Sequence, residues 1–338
     1  MTAGPAGVEV VDLCGIEELA ALRPRWAALS AASAGATPFQ APEWMLPWTR
    51  TFAPTTAWGI AVHRGADLVG LAGFYLQDLP GDGRRQLTML GNGVSDYLGV
   101  LAADGETEAV AQAVLDRLRR AGERWDCCDL RDLAADCPLL ALARPGARAE
   151  ISEEEPCPVA TLPPHPTPVV ASLDRRTLPD ILRRGRRLAE RGEVALRTVA
   201  AEDGRREALA ALVALHQKRW SARGLPGVFA DPRVRSFHEE ASRELMARGA
   251  LRLYLLELDG QPIAAHYAIL WRDRLYAYIH AFDPEFSAFA PGAQLMAACL
   301  QAAAAEGARS IDFLRGREPY KYQWGAVDRP KRRLRLWT

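Results

Sequence analysis

Between Asp312 and Trp324 the chain carries an aspartate, a glutamate, two arginines, two tyrosines, a lysine and a tryptophan, directly after the alternating pair Ile311 and Phe313. Groups that bind anions and move protons, clustered at the end of a short apolar strand, mark the place where α/β proteins put ligands. Burial of Asp312 among Ile311, Phe313 and Leu314 would raise its pKa, and Arg315 or Lys321 nearby would lower it, so it serves as a base or orients a cation. Alternation along the strand puts Asp312 and Leu314 on one face and Ile311, Phe313 and Arg315 on the other. The following loop must therefore curl for Glu318 or Lys321 to join either set. Arg315, Arg317 and Lys321 suit phosphate or carboxylate binding, the arginines through paired contacts. Trp324 is a substrate contact or a packing residue.

Two further features point to the same chemistry. His266 stands in the apolar run Ile263–Ile269, where a neutral imidazole can take a proton near pH 7 or sit satisfied in a core. The strand Leu275–Phe282 leads through Asp283–Ala290 to a helix opening at Pro291-Gly292-Ala293-Gln294. Proline at a first helical turn sacrifices no hydrogen bond, and the bare backbone after it offers N–H groups to a phosphate or carboxylate.

These residues need a scaffold, and the apolar periodicity supplies one. The first half reads as a helix over Ile16–Ser33, an aromatic segment around Phe39 and Trp44, strands at Trp58–His63, Leu68–Leu79, Gln86–Leu90 and Leu98–Leu101, a helix over Thr107–Arg120, and a strand near Cys128–Leu130. Pro80-Gly81-Asp82-Gly83 has the composition of a hairpin tip. The proline-rich stretch Ser152–Pro168 reads as a linker or crossover. The same order then returns: a very basic helix over Leu178–Arg191, a strand at Val194–Val199, helices over Arg205–Arg223 and Phe237–Arg248, strands at Leu251–Leu258, Ile263–Trp271 and Arg274–Phe282, a helix over Pro291–Gly307, and a strand at Ser310–Leu314. Two similar α/β halves, 1–164 and 165–338, are the expected organisation.

The bulk composition narrows the class. Hydrophobic residues make up 49% and charged residues 25% of the 338, ordinary for a soluble globular chain with full cores. Lys plus Arg (42) balances Asp plus Glu (42), which argues against a general nucleic-acid surface, although the C-terminal Arg329–Arg335 is locally basic and reads as a closing edge strand. Six scattered cysteines with no CxxC spacing suggest reduced thiols and no metal site. The first basic residue is Arg23, which argues against a secretory signal, and no apolar run is long enough to span a bilayer. A cytoplasmic location is expected.

The runs Leu215-His216-Gln217-Lys218-Arg219-Trp220, Asp259-Gly260-Gln261-Pro262-Ile263-Ala264-Ala265-His266-Tyr267, Phe282-Asp283-Pro284, Pro291-Gly292 and Asp312-Phe313-Leu314-Arg315-Gly316 with Tyr320-Lys321 and Trp324 resemble the CelD/BcsL-type acetyltransferases of the GNAT superfamily. That family is similar to the FemAB peptidyltransferases, built from two tandem GNAT-like halves. The resemblance is dense from about 165 to 338 and thinner before, where Pro38-Phe39-Gln40, Trp44 and Ser95-Asp96-Tyr97 carry it. One departure is Ala290, where the family usually has Ser before Pro-Gly.

The resemblance implies tandem α/β domains with mixed, mostly antiparallel sheets, and transfer of an acyl group from a thioester, acyl-CoA, to an amine or hydroxyl. It does not reveal the acceptor, for which a small molecule or polysaccharide precursor is the leading expectation. For that chemistry the residues themselves suggest catalytic roles among His266, Asp312, Glu318 and Tyr320, with Tyr320 or Tyr322 protonating the departing thiolate. The strand–loop–helix that opens at Leu275 would hold the acyl-CoA, a donor substrate needing no metal, at Pro291, Gly292, Ala293 and Gln294, with Arg315. Acceptor contacts fall to Asp96, Tyr97, Arg219, Trp220, Lys321 and Trp324. The basic helix keeps open a FemAB-like reading with aminoacyl-tRNA as donor, and a third reading is a non-catalytic tandem binding protein.

Overall fold

The computed structural model describes residues 2–3, 7–53, 55–81, 83–143, 148–172, 177–199 and 201–338. Two compact units divide it, Met1–Glu155 with Arg329–Thr338, and Pro156–Asp328. The division thus falls at 155/156 where the sequence suggested 164/165, and the last ten residues return to the first unit.

In the first unit, Glu9–Cys14, Ala57–Arg64, Asp67–Asp78 and Arg85–Met89 form an antiparallel meander. Asp82, within the expected hairpin tip, lies outside the described residues. Arg85–Met89 then runs parallel to Cys127–Ala134, which pairs antiparallel with the C-terminal strand Val327–Trp337. The expected single helix over Ile16–Ser33 is two, Gly15–Ala21 and Arg23–Ala32. Pro24 explains the break, because a residue lacking its N–H fits only the first turn of a new helix. The tail is an interior strand, not an edge: it lies between Cys127–Ala134 and the strand Ala149–Thr161. That last strand takes in the first part, to Thr161, of the expected linker or crossover at Ser152–Pro168.

The second unit repeats the plan. Its strands are β1 (Val194–Thr198), β2 (Leu251–Leu258), β3 (Gln261–Trp271), β4 (Arg274–Phe282) and β5 (Ser310–Asp312). Its helices are α1 (Thr177–Ala189), α2 (Glu202–Ser221), α3 (Pro232–Ala247), α4 (Pro291–Ala305) and the short α5 (Pro319–Gln323). β1 to β4 are antiparallel neighbours, β4 pairs parallel with β5, and β5 pairs antiparallel with Val159–Thr161. Both units therefore end a meander on one parallel pair and one antiparallel closing strand.

Helix α4 covers one face of this sheet. Leu295 and Cys299 pack with Tyr254, Leu256 and Ala264, while Met296, Leu300 and Ala303 meet Ala268, Leu275, Ala277 and Ile311. Each buried Leu or Met contributes about 1.5–3 kcal/mol, and the alanines let helix and sheet approach closely. Among the described residues, no helix is long and apolar enough to cross a membrane.

Candidate active site

β4 is the element that makes the site, because its two edges behave differently. Toward β5 it is paired only from Arg274 to Tyr276, opposite Ser310 to Asp312. β5 then ends while β4 runs on to Phe282, so the strands part, and among the described residues the edge of residues 277–282 has no strand partner on that side. Toward β3, Ala268 faces Ala277 but Tyr267 faces Ile279, which makes Tyr278 an extra, bulged residue. A bulge turns the strand and resets which side chains share a face. Here it sets His280 directly opposite His266, ring centroids 6.3 Å apart and edge to face.

The two histidines differ in surroundings. His266 is 1% exposed, and neither ring nitrogen has a hydrogen-bond partner. Burial, with a smaller contribution from His280, lowers its pKa to about 3. His280 is half-buried, and its pKa is lowered to about 4 by burial and then by Arg219, against an opposing pull from Glu318. Tyr320 from α5 stands 5.3 Å from the His280 ring, and its phenol keeps its proton because burial and Glu318 raise its pKa. From α2, Arg219 lies with its guanidinium 4.7 Å from the Phe282 ring centroid. His216, also on α2, has its pKa lowered to about 4 by burial and by Arg219.

Buried neutral histidines have a measurable consequence. The folded values of His216, His266 and, on α3, His238 (about 3, from burial) lie below the ordinary ~6.5. The unfolded chain therefore takes up protons that the folded chain refuses. Stability is full above about pH 6.5 and falls as pH drops toward 4, by about 2 kcal/mol per histidine between pH 7 and 5. Urea midpoints measured from pH 7 to 5 should show this steep loss, and His266→Gln should remove about one proton from the slope. An unchanged slope in that variant would show that His266 is protonated in the fold.

The loop after β5 is built around a buried lysine. Lys321 is 2% exposed, and its Nζ donates to the carbonyls of Leu314 (2.9 Å), Arg315 (2.7 Å) and Gly316 (3.0 Å) while pairing with Glu318 at 2.9 Å. Its donors are thus engaged within the loop itself. Asp312 is fully buried, and its Oδ1 accepts the Leu314 N–H at 2.9 Å. That bond holds Leu314 in a left-handed conformation, φ 59, followed by Gly316 at φ 109. The curl required by the sequence pattern is produced this way. Glu318 is exposed; the Lys321 ammonium holds its carboxyl below the usual range, outweighing the opposing effect of burial. Arg315 is exposed, and Arg317 pairs with Asp328 at 3.0 Å. Trp324 is 5% exposed and packs in the α4 core with Ile311 and Phe313, in keeping with the packing alternative of its two readings.

The opening turn of α4 has no side-chain cap, and Ala290 before it is left-handed at φ 50. Gln294 folds back so that its Nε2 donates to the Phe289 carbonyl at 2.7 Å. A Cβ at Gly292 would meet the Phe282 ring at 3.3 Å, so glycine keeps this turn close to the end of β4. Pro291 is buried beneath it. Around it stand arginines of α1 and of the turn after it: Arg187 of α1 and Arg191 just past it lie 5.8 and 5.9 Å over Phe289, and Arg184 of α1 donates to the Ala288 carbonyl.

The remaining expected residues fall elsewhere. Asp96 and Tyr97 belong to the first unit. Tyr97 sits 6.4 Å from Phe39, Trp44 donates to the Ser95 hydroxyl at 2.9 Å, and the Asp96 carbonyl accepts from Lys331. Both motifs of the first half thus meet in one buried cluster, whose contacts are structural. Trp220 packs against His216 at 5.7 Å. His280 carried no expectation, because with an unbroken register His266 would face Ile279. Only the bulge at Tyr278 brings the rings together. A separate open groove of about 730 Å³ runs between α2 and α3, lined by Leu209, Val213, Phe229, His238 and Arg243. None of the residues gathered around His280 lines it.

Residues 175–322 match the model of an acetyltransferase (GNAT) domain. No curated protein matches the chain significantly in sequence. Among solved structures, that of FemX superposes with a TM-score of 0.66 at 14% identity, over 94% of this chain and 96% of that one. The C-terminal DUF2156 domain of a putative lysylphosphatidylglycerol synthetase from Agrobacterium fabrum gives 0.60 at 10% identity, over 94% and 92%. A tandem GNAT protein from the clavulanic acid biosynthesis pathway gives 0.52 at 13%, over 98% of both chains. The chain thus has a tandem GNAT-like fold, and the part that matches the acetyltransferase domain lies within the unit that holds the parted strands and the histidine pair.

Proposed function

We propose that the second unit transfers an acyl group from a thioester, acyl-CoA, to an amine or hydroxyl of a small-molecule or saccharide-linked acceptor, as a CelD/BcsL-type enzyme would. The observation that carries this reading is the parting of β4 from β5 beside His280 and Tyr320. An extended donor arm can lie along the free edge of 277–282, with its thioester beside those two side chains. Aligning donor and acceptor there can remove about 7–11 kcal/mol of the barrier, more than acid–base assistance gives. In this reading His280, half-buried and neutral above pH 5, takes the acceptor's proton. Tyr320, which retains its phenolic proton, gives one to the leaving thiolate. Lys321 and Asp312 hold the loop that positions Tyr320, and His266 backs His280. The opening turn of α4, with Pro291, Gly292, Ala293 and Gln294, receives the donor's phosphates through backbone N–H groups and the helix dipole, with Arg315 assisting.

A second reading, aminoacyl-tRNA as donor, is favoured by the arginines of α1 and by the fold shared with FemX. Thermal-shift titration with acetyl-CoA, longer acyl-CoAs and bulk tRNA separates the two. Stabilisation of several degrees by a CoA thioester, absent with tRNA, is expected. A salt-sensitive response to tRNA alone would replace the first reading with the second.

A further inference from the structure

Arg219 is a partly buried cation that forms no ion pair among the described residues, although Glu318 acts on it at longer range. Its Nε is buried without a hydrogen-bond partner, and among the described residues no carboxylate lies within ion-pair distance of its guanidinium. Its guanidinium lies 4.7 Å from the Phe282 ring centroid. Four residues on, just past the end of α2, Arg223 is exposed, its guanidinium 5.7 Å from the Trp220 ring centroid and without an ion pair among the described residues. Like charges one helical turn apart repel, and each lowers stability unless an anion joins them.

Favourable interaction with the helix C-terminus accounts for a cation in the last turn of α2, but Lys218 already fills that role, pairing with Asp283 at 2.8 Å and Glu285 at 2.7 Å. It does not account for a buried N–H left without an acceptor, which normally costs on the order of a lost hydrogen bond. Nor does Glu318 supply the partner, since its carboxylate is engaged with Lys321. The guanidinium lies over the Phe282 ring at 4.7 Å, and arginine grips a carboxylate or phosphate with two parallel bonds. The position is beside the reacting groups: Arg219 influences the charge of both His216 and His280 and is itself influenced by Tyr320.

We propose that Arg219, with Arg223 beside it, binds an oxyanion carried by the acceptor, a carboxylate or phosphate close to the amine or hydroxyl that is acylated. The proposal rests on the acyl-transfer reading only in assigning the anion to the acceptor; the anion site itself is testable without any donor.

The test is calorimetric titration of the full chain with succinate and with inorganic phosphate, ionic strength held constant with sodium chloride. Saturable binding of at least one anion is expected. Binding of succinate alone assigns a carboxylate, binding of phosphate alone a phosphoryl group, and binding of both a general oxyanion site. Arg219→Met should weaken binding about 10–100-fold, and Arg219→Lys less, since a point charge lacks the fork. Arg219→Gln is the second variant should Met compromise folding, and Arg206→Met, on the α2–α3 groove, should bind as the parent does. Equal binding by parent and Arg219→Met, or no saturable binding of either anion above the chloride background, overturns the proposal. A parallel acetyl-CoA titration keeps the two ideas apart: anion binding without acyl-CoA binding leaves this site standing and removes the transfer reading.

Discussion

Lys331→Ala should destabilise the first unit by about 3–5 kcal/mol, the range seen when one member of a buried ion pair is removed. Lys331 has no exposed surface; its Nζ pairs with Asp132 and also donates to the Asp96 carbonyl at 3.1 Å. Without the ammonium, Asp132 is left charged in a site that is 3% exposed. Its left-handed backbone, φ 57, gives the carboxylate little freedom to turn outward. The effect is one of charge more than of shape, which a double variant checks. Lys331→Met with Asp132→Asn removes both charges, and asparagine tolerates the left-handed backbone. That pair should recover at least about 2 kcal/mol relative to the sum of the single changes. Urea unfolding combined with hydrogen exchange over 127–134 and 329–338 reads both quantities. A single variant within 1 kcal/mol of the parent would mean that water reaches Asp132 and that the tail does not lock the unit.

The place of that tail shows where sequence reasoning stops. Lys331-Arg332-Arg333 before alternating Leu334 and Leu336 has the composition of an exposed edge, since charged edges discourage unwanted pairing. What overrides it is distant in sequence: Asp129 pairs with Arg333, and Asp132 with Lys331, about two hundred residues away. The helices and the meander strands were legible because their periodicity is local. The closing strands were not, because each pairs across a long sequence separation: the first unit closes with the C-terminal 329–338, and the second closes β5 at 310–312 with 159–161 from its own start. In the site, the curl after Asp312 and the bare start of α4 could be anticipated from residue types. The facing of His280 and His266 could not, since one bulged residue inverts the register and no composition marks Tyr278 as that residue. Lys321 misled in the opposite direction: a lysine among aromatic and acidic residues resembles a ligand contact, while its donors are used up by three carbonyls of its own loop.

Lys321→Met should therefore abolish the site without unfolding the chain. Methionine matches the buried aliphatic stem but offers no donor, so the carbonyls of Leu314, Arg315 and Gly316, now converging on one point, repel each other and seek water. Leaving such groups unsatisfied costs about 1–3 kcal/mol each at most, and partial opening of the loop lowers the total to about 2–4 kcal/mol. The left-handed Leu314 and the positive φ of Gly316 add to the tendency to open, because those conformations persist only while neighbouring contacts enforce them. Opening moves Tyr320, whose ring is held between His280 at 5.3 Å and Phe313 at 6.1 Å. If Tyr320 supplies the leaving-group proton, turnover should drop by about 10²-fold or more, the usual worth of a positioned acid. Tyr320→Phe, which keeps the ring packing, should lose a similar factor in turnover with little loss of stability. Hydrogen exchange over 313–318 should quicken in Lys321→Met and stay slow in Tyr320→Phe. That contrast separates a residue that positions the loop from one that acts on substrate. Slow exchange and turnover within threefold of the parent in Lys321→Met would show that the loop holds its shape without the lysine, and that the cleft beside β4 is organised by other contacts.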